Sequence, residues 1–223
     1  DYKGWYDKQK IVLKEVLNVQ YMACMNPTAG SFNITPRMQR HFATFAVQMP
    51  SKDVVRSMFA QIIDGHLRNF DPDIGKYAQK VADASIELHN LVANTFLPSA
   101  VKFHYQWNLR ELSNITQGIC RTLPEFYSNP GDLVRLWIHE CERVFSDRMT
   151  LIADIEKFDN MRVAVTKKYF EDQDMEAIEM RPISYNAFMQ HDSQDNGAYC
   201  TVDTYEKLNK TLVDKLNEHN ESN

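Results

Sequence analysis

Asn26, Arg37, Arg40 and Arg110 are the residues of this 223-residue chain whose types and settings point to chemistry, and that chemistry is the recognition of phosphate. Arg110 follows Asn108 by two positions. If Asn108 caps a helix, Arg110 sits in its first turn, where the helix dipole and unpaired N–H groups are already positive and a cation costs ~0.3–1 kcal/mol. The placement makes sense beside an anion, which a guanidinium can grip in bidentate fashion. The ordinary alternative is a surface arginine paired with Glu111 or a neighbouring Asp. Asn26 stands where the apolar run QYMACM gives way to a Pro-containing loop, and its amide, both donor and acceptor, could orient a water for attack on a phosphoryl group. An Asx-turn bond to the following backbone accounts for it equally well. Arg37 and Arg40 precede a second apolar run, and a cation projected from such a corner could reach a phosphate held by a neighbouring subunit. A solvated basic turn is the everyday reading of that pair.

Other chemistries fit less well. None of the seven glycines begins a G-x-x-x-x-G-K-[ST] phosphate loop, and there is no G-x-S-x-G elbow. His139-Glu140-Cys141-Glu142 lacks the second histidine of a zinc helix, and the remaining histidines are scattered, so no metal site is expected. Cys24, Cys120, Cys141 and Cys200 stand far apart with no C-x-x-C pair, which reads as free thiols in a reducing, cytosolic compartment. A formal charge of −5 argues against a general nucleic-acid or anionic-membrane surface. No apolar run approaches the roughly 20 residues needed to cross a bilayer, and no secretory signal pattern opens the chain. It begins at Asp1 within ordered-looking sequence, which suggests an excised piece of a longer protein.

The elements that must position these residues fall into two styles. Residues 20–25 and 41–49 are short continuous apolar runs, the pattern of central strands covered on both faces. Pro27, Gly30, Asn33 and Pro36 mark a loop between them, with a short helix around Arg37 to His41. After Pro50 the apolar period changes to about 3.6. Ser51 caps a helix whose apolar face is Val54, Val55, Met58, Phe59, Ile62 and Ile63, ending near Gly65. A second helix over 74–95 carries Ala78, Val81, Ala82, Ser85, Leu88 and Leu91 on one face. Pro98 ends one helix, and Asn108 with Glu111 three residues later starts another as a capping box. Further helices are expected at 131–148, 151–172 and 203–218, and Asn196-Gly197 signals a hairpin-type turn. The fold class is therefore mainly α with a small α/β part.

Four segments carry a resemblance: GWYDKQK (4–10), YMACMNPTAGSFNITPRMQRHFATFAV (21–47), TFLPSAVKFHYQWNLRELSNITQGI (95–119) and DLVRLWIHECERVFSDRM (132–149). In words and order the chain resembles the axonemal dynein heavy chain family, specifically the later part of the third AAA+ module of the motor, ending before the fourth. An outer-arm, beta-like type is suggested. Ile34-Thr35-Pro36, Met38 and Gln106-Trp107 depart mildly from the family's commoner residues.

The resemblance implies the C-terminal part of an AAA+ α/β subdomain at 1–50, a helical lid at 51–190 and a connection toward the next module at 191–223. It places sensor 1 on Asn26, sensor 2 on Arg110, and an arginine finger acting in trans on Arg40, with Arg37 as runner-up. ATP or ADP with Mg would belong to the parent, whose Walker A and Walker B would lie upstream of Asp1, so the isolated chain should be inactive and hold no nucleotide tightly. Implied partners are the neighbouring AAA+ modules of the same heavy chain and, through the parent, microtubules and other dynein subunits, with no nucleic acid and no membrane. The implied location is the cytoskeleton of a cilium or flagellum axoneme. A rival of another class is a helical scaffold or docking module that never meets nucleotide, which explains the amphipathic helices but not Asn26 or Arg110.

Overall fold

The computed structural model describes residues 4–25, 34–187 and 199–222. The chain divides into two units, Asp1–Met49 and Pro50–Asn223.

The first unit is thin. Strand β1 (Gly4–Tyr6) pairs antiparallel with β2 (Leu13–Glu15), with Trp5 opposite Lys14. Asp7 closes the ribbon by accepting the Lys14 ammonium at 2.9 Å. The only helix among the described residues of this unit is α1 (Pro36–Gln39), with proline at its first position, where a missing N–H costs nothing. The expected central strands at 20–25 and 41–49 do not form among the described residues: 20–25 and 43–49 have no strand partner there, 41–42 turn back on α1, and Met22, Phe45 and Val47 are 91%, 84% and 94% exposed. A strand, unlike a helix, satisfies its backbone only through neighbours. Among the described residues this unit offers one two-stranded ribbon, so the apolar runs have nothing to join.

The second unit is a helical bundle. It comprises α2 (Lys52–Leu67), α3 (Pro72–Gly75), α4 (Ala78–Thr95), α5 (Leu109–Ile119), α6 (Pro130–Val144), α7 (Ile152–Tyr169), α8 (Met175–Glu179) and α9 (Tyr205–Ser222). A short antiparallel ladder, β3 (Tyr185–Asn186) with β4 (Cys200–Thr201), precedes α9. The Asn196-Gly197 turn lies outside the described residues.

Trp137 of α6 is fully buried at the centre, its indole N–H donating to Ser85 Oγ at 2.9 Å, with Leu88 and Val92 of α4, Ile115 and Ile119 of α5, and Phe158 of α7 in the same core. Ser51 caps α2 as expected, accepting from the Val54 N–H, but the helix runs past Gly65 to Leu67 and its buried stripe is narrower than the sequence pattern. Val55, Phe59 and Ile63 are buried, while Val54, Met58 and Ile62 remain about half exposed, because α2 lies at the edge of the bundle and packs by one side. On α4 the expected face is buried at Ala78, Val81, Ala82, Ser85 and Leu88, and only its last member, Leu91, is exposed, with Val92 buried in its place.

Two buried charges tie the bundle together. Arg162 of α7, 1% exposed, is held by Asp159 at 2.6 Å, Glu179 at 2.7 Å and Glu142 at 3.4 Å. Burial opposes its charge, but these carboxylates outweigh that and hold the guanidinium protonated. Glu140 of α6 is wholly buried under α5, where it accepts from Arg143 at 2.5 Å. A side chain at Gly118 would occupy the space of the Glu140 carboxylate, so glycine is what lets α5 and α6 approach.

Candidate functional site

Helix α5 presents the site. Asn108 is extended and accepts the Arg110 N–H on Oδ1 at 2.9 Å, while the Glu111 carboxylate accepts the Asn108 N–H at 2.7 Å, the reciprocal capping expected from the sequence. Behind the cap, Asn108 O meets His89 Nε2 at 3.0 Å, and Trp107 donates its indole N–H to Phe96 O at 2.8 Å. Burial lowers the His89 pKa, so the ring stays neutral and serves as a fixed donor to that carbonyl. The start of α5 is thereby pinned to the end of α4.

Arg110 projects from this pinned turn into solvent and has no ion pair or side-chain hydrogen bond among the described residues. The alternative of a surface arginine paired with Glu111 is not what is found. Glu111 is 5% exposed and bonded instead to Arg148, whose Nη1 lies 2.7 Å from Oε1. The Arg110 backbone N–H is also spent on its own cap. An anion here would meet the guanidinium first and the helix dipole second, not a cradle of free amides.

Arg148 was not legible in the sequence. It lies in the 3-10 turn after α6, donates to His104 O at 2.9 Å and Gln106 O at 3.3 Å, and stacks over the Trp107 ring at 4.7 Å. Its only signal was an arginine closing the segment DLVRLWIHECERVFSDRM, with no partner visible at short range.

In the first unit, Arg40 caps the C-terminal end of α1 and donates from Nε to His41 Nε2 at 3.2 Å, and Arg37 is exposed one turn earlier. Asn26 lies outside the described residues. Among the described residues no group of three or more His, Cys, Asp or Glu is placed to hold a metal, and no helix is long and apolar enough to cross a membrane.

The comparisons with known families cover both units of the chain. Residues 81–180 match the family described as AAA+ lid domain, and residues 1–50 match the P-loop containing dynein motor region. Over its whole length the chain is 60% identical to the flagellar outer-arm dynein beta chain of Chlamydomonas reinhardtii. It is 43% identical to the ciliary dynein beta chain of Tripneustes gratilla and 44% to dynein axonemal heavy chain 17 of Mus musculus. The chain belongs to the axonemal dynein heavy chain family. It spans 5% of the length of each of these relatives.

Proposed function

We propose that this chain is the later part of the third AAA+ module of an ATP-driven microtubule motor in the axoneme of a cilium or flagellum, and that Arg110 senses nucleotide there. Residues 1–50 close the module's α/β subdomain, 51–190 form its lid, and 191–223 lead toward the next module. Arg110 acts as sensor 2 and Asn26 as sensor 1, while Arg40, or failing it Arg37, reaches the site of the preceding module as a finger in trans. The chain's own residues fit a nucleotide phosphate in one respect: Arg110 is an unpaired guanidinium held at a positive helix end. The phosphate loop and the magnesium ligands would come from elsewhere in the heavy chain, so this stretch alone does not hydrolyse ATP. Bound nucleotide supplies a terminal phosphate whose charge changes on hydrolysis. Arg110 grips the anion in one state and releases it in the other, which biases the lid between two arrangements and passes the difference to neighbouring modules. Microtubules and other dynein subunits are partners of the whole motor.

The unpaired state of Arg110 in a fixed first turn, within the residues that match an AAA+ lid, carries this reading. Arg110→Ala in the intact heavy chain should weaken binding of a fluorescent ATP analogue at this module at least about tenfold, the scale of a lost charge-assisted contact, and alter microtubule gliding. Unchanged affinity and unchanged gliding would favour a scaffold without nucleotide contact.

A further inference from the structure

We infer that Arg148 is a positioning residue that cancels the charge of Glu111, so that the carboxylate organising the first turn of α5 does not oppose an anion at Arg110. The inference rests on the reading of Arg110 as a phosphate sensor. Its starting point is a conflict within one helical turn. The cap needs an acceptor for the Asn108 N–H, and Glu111 Oε2 supplies it at 2.7 Å. That same carboxylate is a full negative charge in the turn that bears Arg110. One turn rises about 5.4 Å, which is shorter than the ~8 Å Debye length at physiological salt. With a side chain only 6% exposed, Glu111 is also poorly screened.

The structure resolves the conflict with a third residue. Arg148 binds the other oxygen, Oε1, at 2.7 Å, so both carboxylate oxygens are occupied and the pair is neutral. Arg148 is itself fixed from three further directions, by the carbonyls of His104 and Gln106 and by the face of Trp107. It comes from the turn after α6, far along the sequence, so the neutralisation is independent of α5's own residues. What remains at the mouth of α5 is the charge of Arg110 and the positive end of the helix dipole. Arginine suits the task because one guanidinium reaches the carboxylate, two carbonyls and an aromatic face together, which an ammonium would not.

The test is a double-mutant cycle in the intact heavy chain, read by titrating the same fluorescent ATP analogue at this module. Arg148→Ala should weaken binding about two- to fivefold, the scale of a partly exposed charge interaction. Glu111→Gln, whose amide oxygen still accepts the Asn108 N–H, should tighten it. The double variant should return close to the parent value, because the uncancelled charge is gone. A role confined to holding the fold predicts the reverse: Glu111→Gln neutral or weakening, and the double variant no better than Arg148→Ala. That pattern overturns the inference, as does an Arg148→Ala variant that binds like the parent. Arg148→Gln, which retains a donor for His104 O, keeps the test decisive if the alanine variant misfolds, and it should also be rescued by Glu111→Gln. Arg110→Ala separates the two levels: if it weakens binding while the cycle fails, the sensor reading stands and the role of Arg148 falls, whereas if it has no effect the sensor reading itself is lost.

Discussion

Two tryptophans measure the contrast between the two units. Trp5 in the first is 54% exposed, lying beneath the Lys14 ammonium on a two-stranded ribbon, while Trp137 in the second is fully enclosed and hydrogen-bonded to Ser85. What differs is how each kind of element completes itself. A helix closes its own backbone bonds and needs only a neighbour for its apolar stripe, so α4, α5, α6 and α7 make a core from one contiguous stretch of chain. A central strand needs partners on both edges and cover on both faces, and the runs 20–25 and 43–49 have neither among the described residues.

The largest expected effect follows directly. Trp137→Ala should destabilise the second unit by ~3–5 kcal/mol, by loss of buried surface and the cavity left behind. Trp5→Ala should change stability by no more than about 0.5 kcal/mol, as exposed substitutions do. Urea unfolding followed by circular dichroism reads both, and equal shifts in midpoint would erase the distinction between the units.

Acid should also act through the second unit. Burial, helped by the nearby Arg143 charge, pushes the His139 pKa down to about 4 from an ordinary 6.5, although Glu142 and a bond with the Ile183 backbone work the other way. The ring packs against Tyr185 and Tyr199 and lies 3.8 Å from the Glu140 carboxylate. The folded state keeps His139 neutral while the unfolded chain takes up a proton below pH 6.5, so the unfolded state binds more protons and stability falls as pH drops from about 6.5 to about 4. The loss is on the order of 2–3 kcal/mol by linkage. Glu140 titrates in the opposite sense, since burial raises its pKa and the folded state gains protons before the unfolded one. The clean measurement is therefore a difference. His139→Gln should decline less than the parent across that window, and parallel curves would show that His139 is not protected in the fold.

The helices were legible because their signals are local. Ser51 before α2, and Asn108 with Glu111 at α5, sit within three residues of the groups they satisfy. Arg110 was legible for the same reason, as a cation placed where a helix end should repel it. Arg148, Arg162 and the Gly118–Glu140 approach were not, because each depends on at least one residue 17 or more positions away: Glu111 for Arg148, Glu179 for Arg162 and Glu140 for Gly118. The apolar runs misled about local structure since an apolar run records that a segment is covered in some assembly, not that its partners lie nearby in the chain.

The smallest effect tests that last point most sharply. Val47 is 94% exposed, so Val47→Ser removes almost no buried surface from this chain and should alter its stability by less than about 0.5 kcal/mol. In the intact heavy chain the same run, read as a central strand of an α/β subdomain, would have Val47 covered, and burying a hydroxyl in place of two methyl groups would cost about 2 kcal/mol or more. Hydrogen exchange over residues 41–49 distinguishes the contexts: rapid and insensitive to the substitution in the isolated chain, slow in the heavy chain and accelerated by it. Slow exchange in the isolated chain would mean that this segment already has its partners and that the first unit is more complete than its exposed surface indicates. Rapid exchange in both would mean that the apolar run is not a strand in either, and that its composition serves contacts made by side chains alone.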